Sequence, residues 1–352
     1  MVTNYKKNKK IVLNKTPLRL SLVGGGTELP DYFKRYGGAV INTTINLFIV
    51  TKLESFTKYK LKINLGDAGK TKIFDTRSAL TSNNYFKIHL AVYKYINKYY
   101  LASRCPSLCI STSSDIPTGS GLGASSTLTV SLIESFSSYF NLKISKKDIA
   151  EIAFTIERED LGLKGGLQDH LSATYGGINL FQIDKKSKIT VKKIEFQKQL
   201  LEKFKLSILL IYTGVARDSS KVIEENITNI KNGKNAYLQY LHFQKKNIKN
   251  IKKLTKQSNL IKLCKMINKN WNLKNKFIGQ KFLHIKYLIN KLKRNGVYAC
   301  KFSGAGNGGF LMCIYNPFEY YKIKDVIKDN KNYYILKPSL YKYGSKSIII
   351  KN

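Results

Sequence analysis

The chain has 352 residues, 43% of them hydrophobic, and its 61 lysines and arginines against 22 aspartates and glutamates give a formal charge of +39. This length and composition predict a soluble two-domain protein and exclude a membrane-spanning one, because no apolar run approaches the roughly 18 to 20 residues that cross a bilayer. The five cysteines are too few and too irregularly spaced for a disulfide framework or a paired Cys-x-x-Cys metal site.

The excess positive charge is carried almost entirely by lysine and is spread along the chain. A strongly basic chain raises the question of nucleic-acid binding, but arginine, which is suited to bidentate contacts with phosphates and bases, is scarce. A compositional bias of the source genome explains the pattern better. We therefore expect no nucleic-acid partner, although the charge favours encounter with an anionic substrate. The polar first ten residues do not resemble a secretory signal, which predicts a cytoplasmic protein.

The first part of the chain has the patterns of a mixed sheet. Apolar runs and alternating apolar residues predict strands at 11–13, 18–22, 39–50 and 59–65. An amphipathic helix is predicted at 85–100, and a buried strand at 108–113.

The segment that follows this strand, 115–126, predicts a phosphate-binding loop. Three alternating glycines run into a helix start rich in hydroxyl groups. Glycines let backbone N–H groups approach an anion, and the helix adds unpaired N–H groups and the positive end of its dipole. The loop lacks the Gly-Lys-Ser/Thr ending of a Walker A loop. It matches the dinucleotide-binding pattern only loosely, since helix follows where that fold has a second strand.

The remaining elements divide the chain in two. Helices are predicted at 128–140 and from Ser145, which begins a capping box and leads to the acidic run 157–160. A lysine-rich connection at 184–205 places a boundary near residue 200, giving domains 1–200 and 201–352. A strand at 206–212 and three or four basic amphipathic helices within 219–294 come next. A helix at 319–327 and strands at 297–302, 310–315, 333–336 and 345–350 then predict an α+β sandwich.

Three glycine-rich segments, 16–30, 117–126 and 301–310, resemble in order the motifs of the GHMP kinases, the family of galactokinase, homoserine kinase and mevalonate kinase. The resemblance implies a two-domain α+β fold, with an N-terminal domain like ribosomal protein S5 domain 2, a ferredoxin-like C-terminal domain with extra helices, and a cleft between them. Segments 156–169 and 212–221 most resemble the D-glycero-D-manno-heptose 7-phosphate kinases. This implies ATP-dependent phosphorylation of the anomeric hydroxyl of that sugar, for nucleotide-activated heptose and surface polysaccharide.

The resemblance also implies roles for individual residues. Asp169 orients or deprotonates the acceptor hydroxyl beside Arg19, and Ser125 and Glu157 hold Mg²⁺. ATP contacts are assigned to Pro117, Gly119, Ser120, Gly121, Leu122, Gly123, Ala124, Ser125 and Ser126. Contacts to the sugar phosphate are assigned to Gly25, Gly26, Thr27, Glu28, Gly166, Gln168, Arg217, Gly304, Ala305 and Gly306.

Several of these roles have structural alternatives. Asp169 is otherwise a loop aspartate and Arg19 a strand arginine that reaches solvent, and Arg217 is otherwise part of a surface salt bridge. Glu159 or Asp160 replaces Glu157 as the metal ligand if the helix ends one turn differently.

The chain also departs from the family motifs at four positions. Glu28 stands where these sugar kinases usually have aspartate, and Ala124 replaces the first serine of Gly-Leu-Gly-Ser-Ser. Asn307 interrupts a glycine run. Leu167 replaces a lysine that is often present, which removes a contact to an anionic substrate.

Three rival functions remain at the level of the sequence. A GHMP kinase for fucose, galactose or another sugar phosphate differs only in its acceptor pocket. A basic nucleic-acid binder is the second rival, and a catalytically silent sugar sensor is the third. The sequence leaves open whether the protein forms a homo-oligomer, which residues bind the 7-phosphate and which anomer is used.

Overall fold

The computed structural model of the protein describes residues 10–81, 85–117, 119–214, 219–278, 283–304, 306 and 308–351. Helices and strands are both present along these residues, with runs of consecutive strands and of consecutive helices, as expected of the predicted α+β class. The strands that they form lie in two sheets, one of eight strands and one of four.

The strands of the described residues are, in chain order, β1 (Lys10–Val23), β2 (Gly38–Ser55), β3 (Lys60–Leu65), β4 (Lys70–Asp75), β5 (Leu108–Ser114), β6 (Ile178–Ile183), β7 (Ile189–Lys193), β8 (Ile208–Thr213), β9 (Val297–Phe302), β10 (Phe310–Tyr315), β11 (Tyr333–Leu336) and β12 (Lys346–Lys351). The helices are α1 (Pro30–Tyr36), α2 (Lys87–Tyr100), α3 (Ala124–Phe140), α4 (Lys146–Thr155), α5 (Gln168–Tyr175), α6 (Lys198–Leu206), α7 (Ser219–Lys231), α8 (Asn235–Leu254), α9 (Leu260–Ile278), α10 (Leu283–Arg294) and α11 (Tyr320–Ile327). A π-helical turn, Ile156–Asp160, continues α4, and a 3₁₀ turn, Pro317–Glu319, precedes α11.

The larger sheet is organised around the long strand β2. Its strand order is β12-β1-β2-β5-β3-β4, and β6 and β7 extend it on the other part of β2. Residues 38–43 of β2 pair with β6, and residues 49–55 pair with β5. Helix α3 packs against β1 and β2. The connection from β5 into α3 is the glycine-rich loop, which therefore lies at the end of a buried strand.

The last strand departs from the sequence prediction. The pattern at 345–350 predicts a strand of the C-terminal sheet, whereas β12 pairs antiparallel with β1 in the larger sheet, with Lys346 opposite Lys15 and Lys351 opposite Lys10. Periodicity indicates that a segment is a strand but not which sheet edge it joins. Apart from β12, which joins the larger sheet, we propose the predicted domain boundary, with one domain at 1–200 and the other at 201–352.

The smaller sheet has the strand order β11-β8-β10-β9. Helices α9 and α10 pack on β9. The predicted block of basic amphipathic helices is present as α7, α8, α9 and α10. None of the helices in the described part of the chain combines the length and apolar character that crossing a bilayer demands.

One apolar cluster joins the two sheets. It contains buried residues from β1, β10 and α9, among them Leu18, Leu20, Leu22, Phe310, Met312 and Ile267. The loop before β10 also meets the glycine-rich loop, because Phe310 N–H donates to the carbonyl oxygen of Ser120 at 2.9 Å. A Cβ on Gly309 would lie 2.2 Å from that oxygen, so this approach requires glycine. The packing brings the three glycine-rich segments to one place.

Candidate active site

The glycine-rich loop ends where α3 begins. Gly119, Gly121 and Gly123 have φ angles of 78°, 83° and 82°, a region that glycine enters without a Cβ clash. Gly123 precedes α3 and has no side chain to cap the first turn. The N–H groups of that turn are therefore not capped by this residue, and the helix dipole favours negative charge there. The loop has the geometry of a phosphate-binding site.

Arg19 and Asp169 form a partly buried ion pair beside this loop. Arg19 Nε donates to Asp169 Oδ1 at 2.6 Å, and the Arg19 side chain is 3% exposed against 19% for Asp169. Arg19 Nη1 donates to the carbonyl oxygen of Gly121 at 2.9 Å and to Ser303 Oγ at 3.3 Å. The Asp169 carboxylate lies directly against Gly123. One guanidinium group thus connects β1, the glycine-rich loop, the start of α5 and the loop after β9.

Glu157 is fully buried and is the centre of a second polar cluster. The hydroxyl groups of Ser125 and Ser126 donate to its two carboxylate oxygens, Ser126 at 2.6 Å. His170 Nε2 donates to Oε2 at 2.6 Å, and the Arg158 guanidinium lies 3.3 Å from the same oxygen. Burial alone would raise the pKa of Glu157, but His170, Arg158 and Ser125 outweigh it and lower the pKa to about 2. Glu157 is therefore a fixed anion directly behind the first turn of α3.

This cluster fits a magnesium ion held jointly by protein and phosphate. Mg²⁺ prefers oxygen ligands and usually takes one or two carboxylates together with phosphate oxygens and waters. Ser125 Oγ and the Glu157 carboxylate are oxygen ligands of this kind, and they adjoin the loop that is suited to phosphate. No group of three or more His, Cys, Asp or Glu side chains that would hold a metal by itself occurs in the described ranges. Of the alternatives to Glu157, both Glu159 and Asp160 are exposed.

The first glycine-rich segment buries a carboxyl group near the Arg19–Asp169 pair. Glu28 is 3% exposed, and its Oε2 accepts a hydrogen bond from Gly26 N–H at 2.6 Å. A Cβ on Gly166 would lie 2.5 Å from Glu28 Cγ, so this glycine allows the two segments to touch. Burial and the nearby Asp169 carboxylate raise the pKa of Glu28 to about 7, against the lowering effects of Gly26 N–H and Arg19.

The raised pKa of Glu28 predicts a pH-dependent stability. In the folded protein Glu28 binds a proton at pH values where it is ionised in the unfolded chain, since the usual pKa is 4.5. Its contribution to the free energy of unfolding is therefore full below pH 4.5 and is lost as the pH rises through 7. Glu28→Gln keeps the acceptor for Gly26 and removes the titration. Urea unfolding from pH 4.5 to 8 should show wild type losing stability relative to this variant as the pH rises.

The matched control for Glu28→Gln is Glu202→Gln, which removes an exposed glutamate paired with Lys205. Its difference from wild type should stay nearly constant over the same pH range. A constant difference for Glu28→Gln as well would contradict the raised pKa.

One cavity of about 540 Å³ collects most of the predicted site residues, and its size suits a small-molecule site. Those that line it are Arg19, Gly25, Gly26, Glu28, Gly119, Ser120, Gly121, Gly123, Ala124, Ser125, Ser126, Gly166, Gln168, Asp169 and Gly304.

Other predicted site residues lie elsewhere. Thr27 is fully buried and holds the loop together by donating to the carbonyl oxygen of Gly24, and Leu122 belongs to the core. Glu157 lies behind Ser125 and Ser126. Gly306 is buried, and Pro117 is exposed but does not line the cavity. The predictions for Arg217 and Ala305, and the departure at Asn307, lie outside the described residues.

The two remaining departures from the family motifs have different surroundings. Ala124 lines the cavity at the start of α3. Leu167 is 5% exposed and packs in an apolar cluster with Phe33, Leu171 and Phe181. The position where related chains often carry a lysine is therefore part of the core in this protein, and it supplies no cation to the cavity.

Sequence reasoning missed four residues of this region. His170 and Arg158 hold Glu157, and Lys274 lines the cavity from α9. Lys301 Nζ donates to the carbonyl oxygen of Ser21 at 2.6 Å, and burial, with the charge of Arg19, lowers the pKa of Lys301 to about 7. His170 and Arg158 are sequence neighbours of assigned residues, which is a signal that was available. No comparable signal marks Lys274 within a lysine-rich helix.

Comparison with known proteins gives consistent matches. The family model described as GHMP kinases N terminal domain matches residues 84–177, and the one described as GHMP kinases C terminal matches residues 248–332. The chain is 31% identical to the D-glycero-alpha-D-manno-heptose 7-phosphate kinase of Campylobacter jejuni, over 92% of this chain and 95% of the relative.

Solved structures agree with this match. A D-glycero-D-manno-heptose 1-phosphate kinase of Bacteroides thetaiotaomicron has a TM-score of 0.78 at 26% identity, over 96% of this chain and 98% of the other. A galactokinase of Lactococcus lactis, solved with galactose, shares the fold, with a TM-score of 0.75 at 15% identity over 96% and 95% of the two chains. The predicted two-domain α+β fold is confirmed.

Proposed function

Because the chain belongs to the GHMP kinase family, we propose that it transfers the γ-phosphate of ATP to the anomeric hydroxyl of D-glycero-D-manno-heptose 7-phosphate. The products are the 1,7-bisphosphate and ADP. The relative from C. jejuni, similar over nearly its whole length, supports this acceptor. A route to nucleotide-activated heptose for surface polysaccharide, in the cytoplasm, would use the product.

The observation that carries the proposal is the placement of the Arg19–Asp169 pair against the glycine-rich loop within one cavity. Phosphoryl transfer requires an aligned acceptor, a site for the triphosphate and a group that orients or deprotonates the acceptor hydroxyl. The loop and the first turn of α3 supply the triphosphate site. Asp169 supplies the carboxylate at its edge.

The proposed phosphoryl transfer involves ATP, the acceptor hydroxyl and Asp169. The acceptor oxygen forms a bond to the γ-phosphorus while the bond from that phosphorus to the β,γ-bridging oxygen breaks, and the hydroxyl proton passes to Asp169. Arg19 fixes the carboxylate through Oδ1 and offsets negative charge that develops near it. Glu157 and Ser125 would hold Mg²⁺, which neutralises charge on the β- and γ-phosphate oxygens when bound.

An acceptor panel with coupled ADP detection tests the proposal. We expect the highest kcat/KM with D-glycero-D-manno-heptose 7-phosphate, and much lower values with unphosphorylated heptose, fucose and galactose. Thermal stabilisation by ATP with Mg²⁺ is expected to accompany turnover.

Each other outcome of the panel would replace the proposal with a defined alternative. A higher kcat/KM with fucose or galactose would assign the protein to another sugar of the same kinase family. Sugar binding without ADP production would indicate a silent sensor. Absence of ATP stabilisation together with tight, steeply salt-dependent nucleic-acid binding would indicate the nucleic-acid binder.

A further inference from the structure

The first glycine-rich segment leaves the larger sheet through an irregularity near the end of β1. The register of β1 against β2 shifts by one residue between Ser21 and Val23, so that Leu22 is an additional residue opposite β2. Backbone groups that leave a ladder at a bulge need other hydrogen-bond partners when they are buried. Residues 21–28, the bulge segment, are therefore expected to depend on contacts from outside the β1–β2 pairing.

A lysine of the C-terminal half binds the carbonyl groups at this bulge. Lys301 of β9 is partly buried, and its Nζ donates to the carbonyl oxygen of Ser21 at 2.6 Å and to that of Leu22 at 3.4 Å. Hydrogen bonds from a charged donor are stronger than those from a neutral one. The place where the bulge segment begins is therefore held from β9.

A glutamine of α8 binds the same segment two residues beyond Leu22. Gln244 is 4% exposed, and its Oε1 accepts from Gly24 N–H at 3.0 Å, while its Nε2 donates to the Tyr240 hydroxyl at 2.9 Å. A Cβ on Gly24 would lie 2.1 Å from the carbonyl oxygen of Ala39. Gly24 therefore fits closely between β2 on one side and α8 on the other.

The bulge segment borders the acceptor side of the cavity. Its residues Gly25, Gly26 and Glu28 line the cavity, and Glu28 packs against Gly166, three residues before Asp169. In the proposed reaction Asp169 contacts the acceptor hydroxyl, whereas the triphosphate lies on the glycine-rich loop before α3. The acceptor therefore lies beside the bulge segment, and a displacement of this segment changes the acceptor pocket first.

We propose that Gln244 and Lys301 are positioning residues, through which the C-terminal half of the chain fixes the bulge segment and thereby the affinity for the acceptor. This inference rests on the proposed sugar kinase activity and adds two residues to its site. Neither residue lines the cavity, so each acts through the backbone that it binds. The position of Glu28 beside Asp169 then depends on how β9 and α8 pack against the end of β1.

Gln244→Met is the first test, because methionine keeps the length of the side chain and removes the oxygen that accepts from Gly24 N–H. The matched control is Gln239→Met, at an exposed position of the same helix. The acceptor used is the sugar with the highest kcat/KM in the panel, and calorimetry with a non-hydrolysable ATP analogue gives its Kd. Hydrogen exchange, followed by mass spectrometry, compares residues 21–28 with residues 119–126.

A buried N–H group that loses its acceptor destabilises the backbone around it, so Gln244→Met should weaken acceptor binding by about 5- to 50-fold. The KM of the acceptor should rise accordingly, with a much smaller change in kcat, and the Kd of ATP should stay within about twofold of wild type. Amide exchange should become faster in residues 21–28 and stay unchanged in residues 119–126. Gln239→Met should match wild type in every measurement.

Lys301→Met is the second test, with the exposed Lys265→Met as its control, and the same pattern is expected. An unchanged acceptor Kd would overturn the role of the residue that was replaced. Equal losses of ATP and acceptor affinity would also overturn it, because they would indicate a general disturbance of the fold. Failure of the kinase proposal is seen separately, as absence of ADP release by wild type with every acceptor. In that case unchanged exchange of residues 21–28 in Gln244→Met would still overturn the inference.

Discussion

Asp169→Asn is expected to lower kcat by about 10²- to 10⁴-fold while leaving the Kd of ATP within twofold of wild type. Asparagine keeps the size of the side chain and an oxygen that accepts from Arg19 Nε, so the link among β1, α5 and the glycine-rich loop is retained. It cannot take the acceptor proton and carries no charge to orient the hydroxyl. Steady-state ADP release gives kcat, and calorimetry gives the Kd of ATP.

Asp184→Asn is the matched control for this loss. Asp184 is an exposed aspartate whose Oδ1 accepts hydrogen bonds from the N–H groups of Lys186 and Lys188, and asparagine supplies an equivalent acceptor. Its kcat should equal that of wild type. Turnover of Asp169→Asn at the wild-type rate would show that the carboxylate has no part in the chemical step, and loss of ATP binding would show that the substitution disturbs the glycine-rich loop.

The parts of the site that the sequence predicts are those with local signals. Gly119, Gly121 and Gly123 adopt positive φ angles that other residues avoid, so their spacing alone indicates the loop. Ser145 marks the start of α4 because its hydroxyl accepts from Asp148 N–H in the first turn. The convergence of three distant glycine-rich segments follows from the family resemblance, because no local pattern contains it.

Sequence periodicity could not decide which acidic residue after α4 faces inward. An α-helix repeats every 3.6 residues, but the chain continues through the π-helical turn Ile156–Asp160, which changes the helical phase. Glu157 is consequently buried beneath Ser125, while Glu159 and Asp160 are exposed. The sequence assigned Glu157 from the family resemblance and kept Glu159 and Asp160 as alternatives, which depended on where the helix ends.

The sequence also could not predict which strands pair when they lie far apart along the chain. Strand β12 is recognisable from its run of three isoleucines, but it joins β1, the first strand of the described residues. No local property of residues 346–351 specifies that partner. Lys274 is similarly one of many lysines on amphipathic helices. Its position in the cavity depends on how α9 packs against β9 and the Gly304 loop.

Glu157→Gln is expected to lower kcat/KM for ATP by about 10²- to 10³-fold and to raise the Mg²⁺ concentration needed for half-maximal activity. A metal on transferring phosphates contributes several kcal/mol to the transition state, and a neutral amide is a much weaker magnesium ligand than a carboxylate. The amide oxygen still accepts from one of the two serine hydroxyls, which donate to different oxygens of the carboxylate. Mg²⁺ titrations of ADP release give the activity, and Mn²⁺ binding in the presence of ATP, followed by electron paramagnetic resonance, measures the ion directly.

Glu159→Gln separates a metal role from a general effect of charge in this turn. It removes an exposed carboxylate two residues away, the alternative ligand that the sequence left open, and should leave both Mn²⁺ binding and activity unchanged. Removing the Glu157 charge also leaves the Arg158 guanidinium without its ionic partner and His170 without a carboxylate acceptor, which should lower the free energy of unfolding. Urea unfolding therefore accompanies each variant. If Glu157→Gln lost stability but bound Mn²⁺ as wild type does, Glu157 would be a structural anion, and the metal would belong to other oxygens of the cavity.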